Sequence, residues 1–280
     1  MKFVDLHTHT HYSDSTVSPA ELVQQAREAG LHVIAVTDHD TLQGIPEAME
    51  EGLRWGIEVI AGVELSTEEN GKDIHILGYL MDLHHPELQE RLALFRQVRE
   101  ERAYKIVEKL KGMGVHLDPE RVKEIAGHGS IGRPHIAKAL IEKGYVADVK
   151  EAFERYLGYD SPAYVPKYKM KPIEAIQLIL RAGGIPVIAH PAYYQDPDYV
   201  IYLQKHGLMG VEVWHSDHSP EDIELYRSLA EKHGLLMTGG SDYHGAKKKH
   251  IRLGDMKLPY TLVRALKDAQ THVRSTPADL

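Results

Sequence analysis

FVDLHTHTHYSD, residues 3–14, is the stretch on which the reading of the whole chain turns. An extended chain repeats its side-chain direction every two residues. Val4, Leu6 and Thr8 therefore share one face, and Asp5, His7 and His9 share the other. Two imidazoles one pleat apart can converge on a single cation. His11 and Asp14 follow where the strand should give way to a loop. A hydrophobic core has no use for so much imidazole in so short a run, so a metal-binding strand end is expected here rather than a solvated one.

Working outward, short apolar strands keep ending in metal-type residues. Val33–Thr37 (VIAVT) reads as a buried strand running into Asp38, His39 and Asp40, and Glu58–Val63 as a strand ending in Glu64. Asp73–Leu80 (DIHILGYL) is a fourth strand with His75 inside it. Ile185–Pro191 (IPVIAHP) ends in His190, Gly210–His215 (GVEVWH) leads into SDHSPED, and LLMTGGSDYHG ends with Asp242 and His244. Helices fall between them. Ser18 as N-cap, with Pro19 and Glu21 behind it, predicts a helix that stops at Gly30; a second is predicted over Pro46–Trp55, and Ser219-Pro220 opens another. This alternation predicts an α/β barrel or a doubly wound sheet.

The alternation breaks from Pro86 to about Gly158, where the apolar spacing is helical, with stops at Gly112-Met113-Gly114, Gly127-His128-Gly129 and Gly144. The expected organisation is a catalytic barrel made of residues 1–84 and 163–280, with 85–162 inserted as a small helical substrate-binding domain. Strand–helix alternation resumes at Pro172. The tail after about Gln270 carries Ser, Thr and Pro and is expected to be loose.

Composition narrows the function classes. A chain of 280 residues with 42% hydrophobic content can bury a large core. No segment approaches the apolar length of a membrane span. MKFVD meets a carboxylate at its fifth residue, so a signal peptide is not expected and a cytoplasmic enzyme is. With no cysteine, disulfides and thiolate metal sites are excluded. A net charge of −8 argues against general binding to duplex DNA, yet bound cations could still draw a small anion. The 19 histidines are the anomaly, because they recur at strand ends.

The candidate ligands are His7, His9, Asp14, His39, Glu64, His75, His190, Asp242 and His244. Singly, His75 within IHILG reads as readily as a satisfied core histidine, and His190 before Pro191 as a strand cap. Jointly they point to metal, since catalytic residues of parallel barrels gather at the strands' C-terminal ends. Imidazoles and carboxylates without thiolate suit Mn, Fe or Zn. The donors exceed the needs of one ion, so two or three divalent metal ions sharing a carboxylate, with Glu64 as the bridge, are expected.

DLHTH (Asp5–His9), TDHD (Thr37–Asp40), GVE (Gly62–Glu64), AHP (Ala189–Pro191) and GSDYHG (Gly240–Gly245) together resemble the PHP family, named for polymerase and histidinol phosphatase. The resemblance implies a metal-dependent phosphoesterase on a distorted seven-stranded α/β barrel. It implies one ion held by His7, His9, Glu64 and Asp242, a second by Asp14, His39 and His244, and a third by Glu64, His75 and His190. Many family members carry histidine where this chain has Asp14.

GRPHIA (Gly132–Ala137) within the helical segment resembles the branch containing nucleoside 3′,5′-bisphosphate phosphatases and a 5′-to-3′ exoribonuclease. Arg133 offers a planar fork for phosphate oxygens, and His135 a second donor. His218, just before the Ser219-Pro220 helix start, is a further phosphate-contact or general-acid candidate. Lys247-Lys248-Lys249 reads as a solvated loop close enough to the last metal motif to attract an anion. The expected reaction is attack on phosphorus by a metal-bridging hydroxide. The expected substrate is a nucleoside 3′,5′-bisphosphate or the 5′ end of a short RNA. Histidinol-phosphate hydrolysis is the nearest alternative. An amidohydrolase and a non-catalytic metal-binding module are alternatives of other classes.

Overall fold

β1 (Phe3–Thr8), β2 (Leu31–Val36), β3 (Glu58–Glu69), β4 (Lys72–Tyr79), β5 (Ile185–Ile188), β6 (Gly210–His215), β7 (Leu236–Gly240) and β8 (Leu258–Pro259) form one sheet in the order β7-β6-β5-β4-β3-β2-β1-β8. This computed structural model describes residues 2–275 except 128, 130, 167, 169 and 249. His128 of the expected helix stop, Lys249 of the lysine run and tail residues 276–280 lie outside the described residues. Pairing is parallel except that β4 runs antiparallel to both neighbours and β8 antiparallel to β1. The sheet has eight strands where the resemblance implies seven. The additional β8 is only two residues long, too short to carry a periodic signal.

The sheet curls until its two ends nearly meet. Asp242 N donates to the His7 carbonyl at 2.8 Å, and His9 N donates to the Tyr243 carbonyl at 3.0 Å. Glycine permits this approach: a Cβ on Gly240 would lie 2.2 Å from the His7 nitrogen. The result is a barrel-like sheet with the histidine strand β1 at its seam.

β3 departs from expectation. It does not end at Glu64 but continues to Glu69 and turns directly into β4. Asn70 (φ 52°) and Gly71 (φ 81°) supply the two left-handed residues that a two-residue hairpin turn demands. Glu64 is thus in mid-strand, and His75 comes back to it on the antiparallel partner.

The helices are α1 (Pro19–Glu28), α2 (Ile45–Trp55), α3 (Pro86–Gly112), α4 (Pro119–Ala126), α5 (Arg133–Glu142), α6 (Val149–Ala152), α7 (Pro172–Arg181), α8 (Pro197–Gln204), α9 (Pro220–His233) and α10 (Thr261–Ser275). α1 starts on a full capping box, with the Ser18 hydroxyl taking the Glu21 N–H and the Glu21 carboxylate taking the Ser18 N–H. The segment after Gln270 is helical as far as Ser275 rather than loose. Leu262, Leu266, Ala269 and Val273 recur at helical spacing and pack with Val4, Leu6, Val33 and Val187. Fully burying leucines such as Leu266 is worth about 1.5–3 kcal/mol each, enough to hold the helix down.

The chain divides into two compact units, residues 1–90 with 169–280, and residues 91–168. The first holds the sheet. The second is helical, with its own core of Ile106, Leu110, Val122, Ile136, Leu140 and Leu157. Among the described residues no helix is long and apolar enough to cross a membrane.

Candidate metal centre

β1 delivers His7 and His9 to the mouth of the barrel, both completely buried. Three other strand ends turn sharply there. Asp40, His190 and Asp242 all have positive φ, at 54°, 28° and 55°, a conformation that non-glycine residues adopt at a cost of order 1 kcal/mol. His39, His190 and Asp242 are aimed inward at or beside these turns.

Glu64 is the hub. Its Oε2 lies 3.2 Å from His7 Nε2, 3.2 Å from His9 Nε2 and 3.2 Å from His39 Nδ1. Its Oε1 lies 2.7 Å from His75 Nδ1 and 3.0 Å from His190 Nε2. Asp242 Oδ1 is 3.0 Å from His9 Nε2 and 3.5 Å from His7 Nε2. On the outer side, Asp14 Oδ1 is 2.9 Å from His244 Nε2 and 4.0 Å from His39 Nε2. Three groups of these residues each offer ligand atoms within 4.8 Å of one another: His7, His9, Glu64 and Asp242; His9, Asp14, His39 and His244; and His39, Glu64 and His75.

The surrounding chain sets tautomers. His7 Nδ1 meets Glu212 Oε1 at 2.9 Å, which leaves Nε2 facing the cluster. Glu212 Oε2 accepts the His190 N–H at 2.7 Å, so one buried carboxylate orients two candidate ligands. His244 Nδ1–H donates to the Asp242 carbonyl at 2.7 Å, directing Nε2 toward Asp14. The buried Tyr194 hydroxyl accepts the His75 N–H at 2.8 Å. Asp38 ties down the loop after β1, accepting from Thr10 N at 2.7 Å and Ser13 Oγ at 2.5 Å.

The electrostatics are those of a site that wants a cation. Burial opposes charge on every group, yet nearby imidazoles hold the Glu64 and Asp242 carboxyls well below the usual carboxylate range. The His7 imidazole is held well above 6.5, because Glu212, Glu64 and Asp242 together outweigh its burial. His9 is raised to about 10 by Asp242 and Glu64 against the same penalty. For His39 burial wins, pushing it down to about 3.

A divalent cation fits this donor set. His9 Nε2, His39 Nδ1 and Asp14 Oδ1 are buried, face the cluster and form no aligned hydrogen bond, close as they lie to Asp242, Glu64 and His244. Ligands about 2.0–2.2 Å from an ion sit about 3.0–3.5 Å from each other, the spacing that His7, His9, His39 and His190 keep from Glu64. A bound cation would take the place of protons on His7 and His9, sparing the site two buried imidazolium charges.

Sequence reasoning passed over Glu212 and His215. His7, Glu212 and His215 form a further convergent group. His215 Nδ1 accepts the Asp217 N–H at 3.1 Å, which places its proton on Nε2, 3.5 Å from Asp242 Oδ2. A carboxylate in the middle of the apolar run GVEVWH was the available signal.

The other candidates are not among the convergent ligand atoms. His218 sits behind His215, with ring centroids 5.3 Å apart, and its Nδ1–H donates to the Val213 carbonyl at 2.9 Å. Burial pushes its pKa down, and its Nε2 is a buried acceptor without a partner. As placed, this neutral tautomer offers no proton at Nε2. Lys247 bonds the Asp14 carbonyl and Lys248 pairs with Asp242, so these two lysines are tied to the site rather than solvated.

Arg133 and His135 open α5 in the helical unit. His135 Nδ1 accepts the Gly132 N–H at 3.0 Å, capping the helix. Arg133 Nη1 donates to the Leu157 carbonyl at 2.9 Å, and its guanidinium lies 5.3, 5.0 and 5.8 Å from the rings of Phe153, Tyr159 and Tyr164. Arg102 shares the Tyr164 ring, at 6.0 Å. Burial and the Arg133 charge hold the Arg102 pKa below its ordinary value, and its Nη2 is buried without a partner.

The PHP domain model matches residues 5–159. A 5′-3′ exoribonuclease of Haemophilus influenzae is 36% identical over 87% of this chain and 90% of its own length. A 3′,5′-nucleoside bisphosphate phosphatase of Chromobacterium violaceum is 32% identical over 87% and 88%. Among solved structures, a proposed metal-dependent phosphoesterase of Bifidobacterium adolescentis superposes with a TM-score of 0.83 at 33% identity, covering 95% of both chains.

Proposed function

The chain belongs to the PHP family of metal-dependent phosphoesterases, and on that premise we propose that it hydrolyses nucleoside 3′,5′-bisphosphates or the 5′ ends of short RNA. Two or three Mn, Fe or Zn ions would be held by His7, His9, Glu64 and Asp242, by Asp14, His39 and His244, and by Glu64, His75 and His190. Ions bound there supply Lewis acidity, lowering the pKa of water and neutralising phosphoryl oxygens. The protein does the rest. Glu212 keeps the His7 proton on Nδ1, His244 is locked by the Asp242 carbonyl, and His215 turns its Nε2 toward Asp242 at 3.5 Å.

The observation that carries the bisphosphate reading is the Arg102–Arg133 pair. Two guanidiniums sharing one tyrosine ring repel each other, which adds to burial in holding the Arg102 pKa down. An anion relieves that repulsion, and guanidinium forks match phosphate oxygens. The helical unit carries this anion-suited pair in addition to the metal ligands of the sheet unit, which supports a substrate with more than one phosphate. Histidinol phosphate, with one phosphate and a cationic amine, leaves this pair without a partner.

Steady-state comparison of adenosine 3′,5′-bisphosphate, AMP, a 5′-phosphorylated oligoribonucleotide and histidinol phosphate, with each metal added separately, tests the reading. The two substrates carrying a second phosphate should be preferred. A preference for histidinol phosphate would overturn the substrate assignment.

A further inference from the structure

Two adjacent tyrosines follow the β5 metal motif and behave in opposite ways. Tyr194 is buried, with its hydroxyl bonded to the His75 backbone and 3.3 Å from His190 Nδ1. Its role is structural. Tyr193 is 54% exposed although it belongs to the same short helical turn. Its ring centroid lies 4.9 Å from that of His190, and 5.9 Å from that of His215 in an edge-on arrangement. One side of the ring is therefore packed on imidazoles of the metal centre while the rest faces solvent.

The ring is also held in place. The Tyr193 hydroxyl donates to Asp217 Oδ2 at 2.5 Å, and Asp217 Oδ1 lies 3.9 Å from His250 Nε2. Burial and the Asp217 carboxylate push the phenol pKa up, so the side chain is a neutral aromatic plate at working pH. Leaving so much aromatic surface in water forfeits hydrophobic stabilisation. A rigid, half-covered ring one imidazole away from the reacting centre is the form of a stacking platform.

We propose that Tyr193 receives the nucleobase of the substrate and is a specificity-determining residue, an inference that rests on the nucleotide reading above. Every base has a π-face, so such a platform favours nucleotides over base-free phosphates without reading sequence. Purines, with the larger face, gain more than pyrimidines.

The test compares kcat/KM for adenosine 3′,5′-bisphosphate with that for methyl riboside 3,5-bisphosphate, which has both phosphates and the sugar but no base. Wild-type enzyme should prefer the adenosine compound. Tyr193→Leu keeps apolar bulk beside His190 but removes the π-face. It should lower kcat/KM for the adenosine compound by about 5–150-fold and not separate from wild type on the base-free one. Tyr193→Phe should recover most of the loss. Equal losses on both substrates, or a wild-type enzyme that does not distinguish them, would overturn the role of Tyr193. Wild-type enzyme that turns over neither compound would overturn the nucleotide reading itself.

Discussion

Glu212 Oε1 lies 2.9 Å from Nδ1 of His7, with both side chains fully shielded from solvent. A buried carboxylate in that position fixes the imidazole tautomer and makes Nε2 a better donor to a cation. Glu212→Gln preserves the shape but removes the charge. It should weaken metal affinity by about 10–100-fold with the fold retained. Chelator competition followed by metal release, with circular dichroism as the control for folding, reads this out. Unchanged affinity would remove Glu212 from the metal centre.

The stability of the metal-free protein should peak near pH 6.5, because its histidines pull in opposite directions. His7 and His9 have folded pKa values above the ordinary 6.5, so their contribution is complete below 6.5 and is lost as pH rises, for His9 through about 10. His39 and His190 are depressed below 6.5, His39 to about 3, so theirs is lost as pH falls. Glu64 and Asp242, with lowered pKa values, add a further loss in acid below about 4.5. Metal binding requires unprotonated imidazoles, so loading should move the optimum to higher pH. Thermal melts of chelated and metal-loaded protein from pH 4 to 10 would show the shift, and superimposable profiles would count against a shared site.

How much of this was legible in the sequence differs from residue to residue. His7 and His9 could be placed together because the period of a strand is a local property. Glu64 was found as a residue type, but its position in mid-strand was not, although Asn70-Gly71 is the strongest short signal for a hairpin. Reading that turn would have shown that β4 is antiparallel and returns His75 to Glu64. The two-residue β8 and the packing of α10 depend on distant partners and leave little local trace. The tyrosine and arginine neighbours of Arg133 come from segments between residues 102 and 164, a tertiary fact that motif spacing does not contain.

Arg133→Lys keeps a positive charge but loses the planar fork and the stacking on Tyr159 and Tyr164. If Arg133 grips a substrate phosphate, kcat/KM on nucleoside bisphosphates should fall by about 10–150-fold, the equivalent of a charge-assisted hydrogen bond worth about 1.5–3 kcal/mol. Metal content should not change. Wild-type kinetics across the phosphoester panel would place Arg133 outside the substrate site.

Leu140 is completely buried in the core of the helical unit. Leu140→Ala should destabilise that unit by about 2–5 kcal/mol. If residues 91–168 form a substrate-binding domain separate from the metal-binding barrel, the variant should be cut faster by protease within that segment and lose kcat/KM while keeping its metal. Loss of metal in step with the helical unit would contradict that division of labour.

The most direct test of the central claim is phosphate release from adenosine 3′,5′-bisphosphate by protein stripped with chelator and then reconstituted, with metal per chain measured on the same samples. Five imidazoles around Glu64, together with Asp14 and Asp242, lead to an expectation of no turnover when stripped and of recovery on adding Mn, Fe or Zn. More than one ion per chain should be bound at full activity. Turnover that survives complete metal removal would contradict the mechanism, and full activity at one ion per chain would contradict the shared role of Glu64.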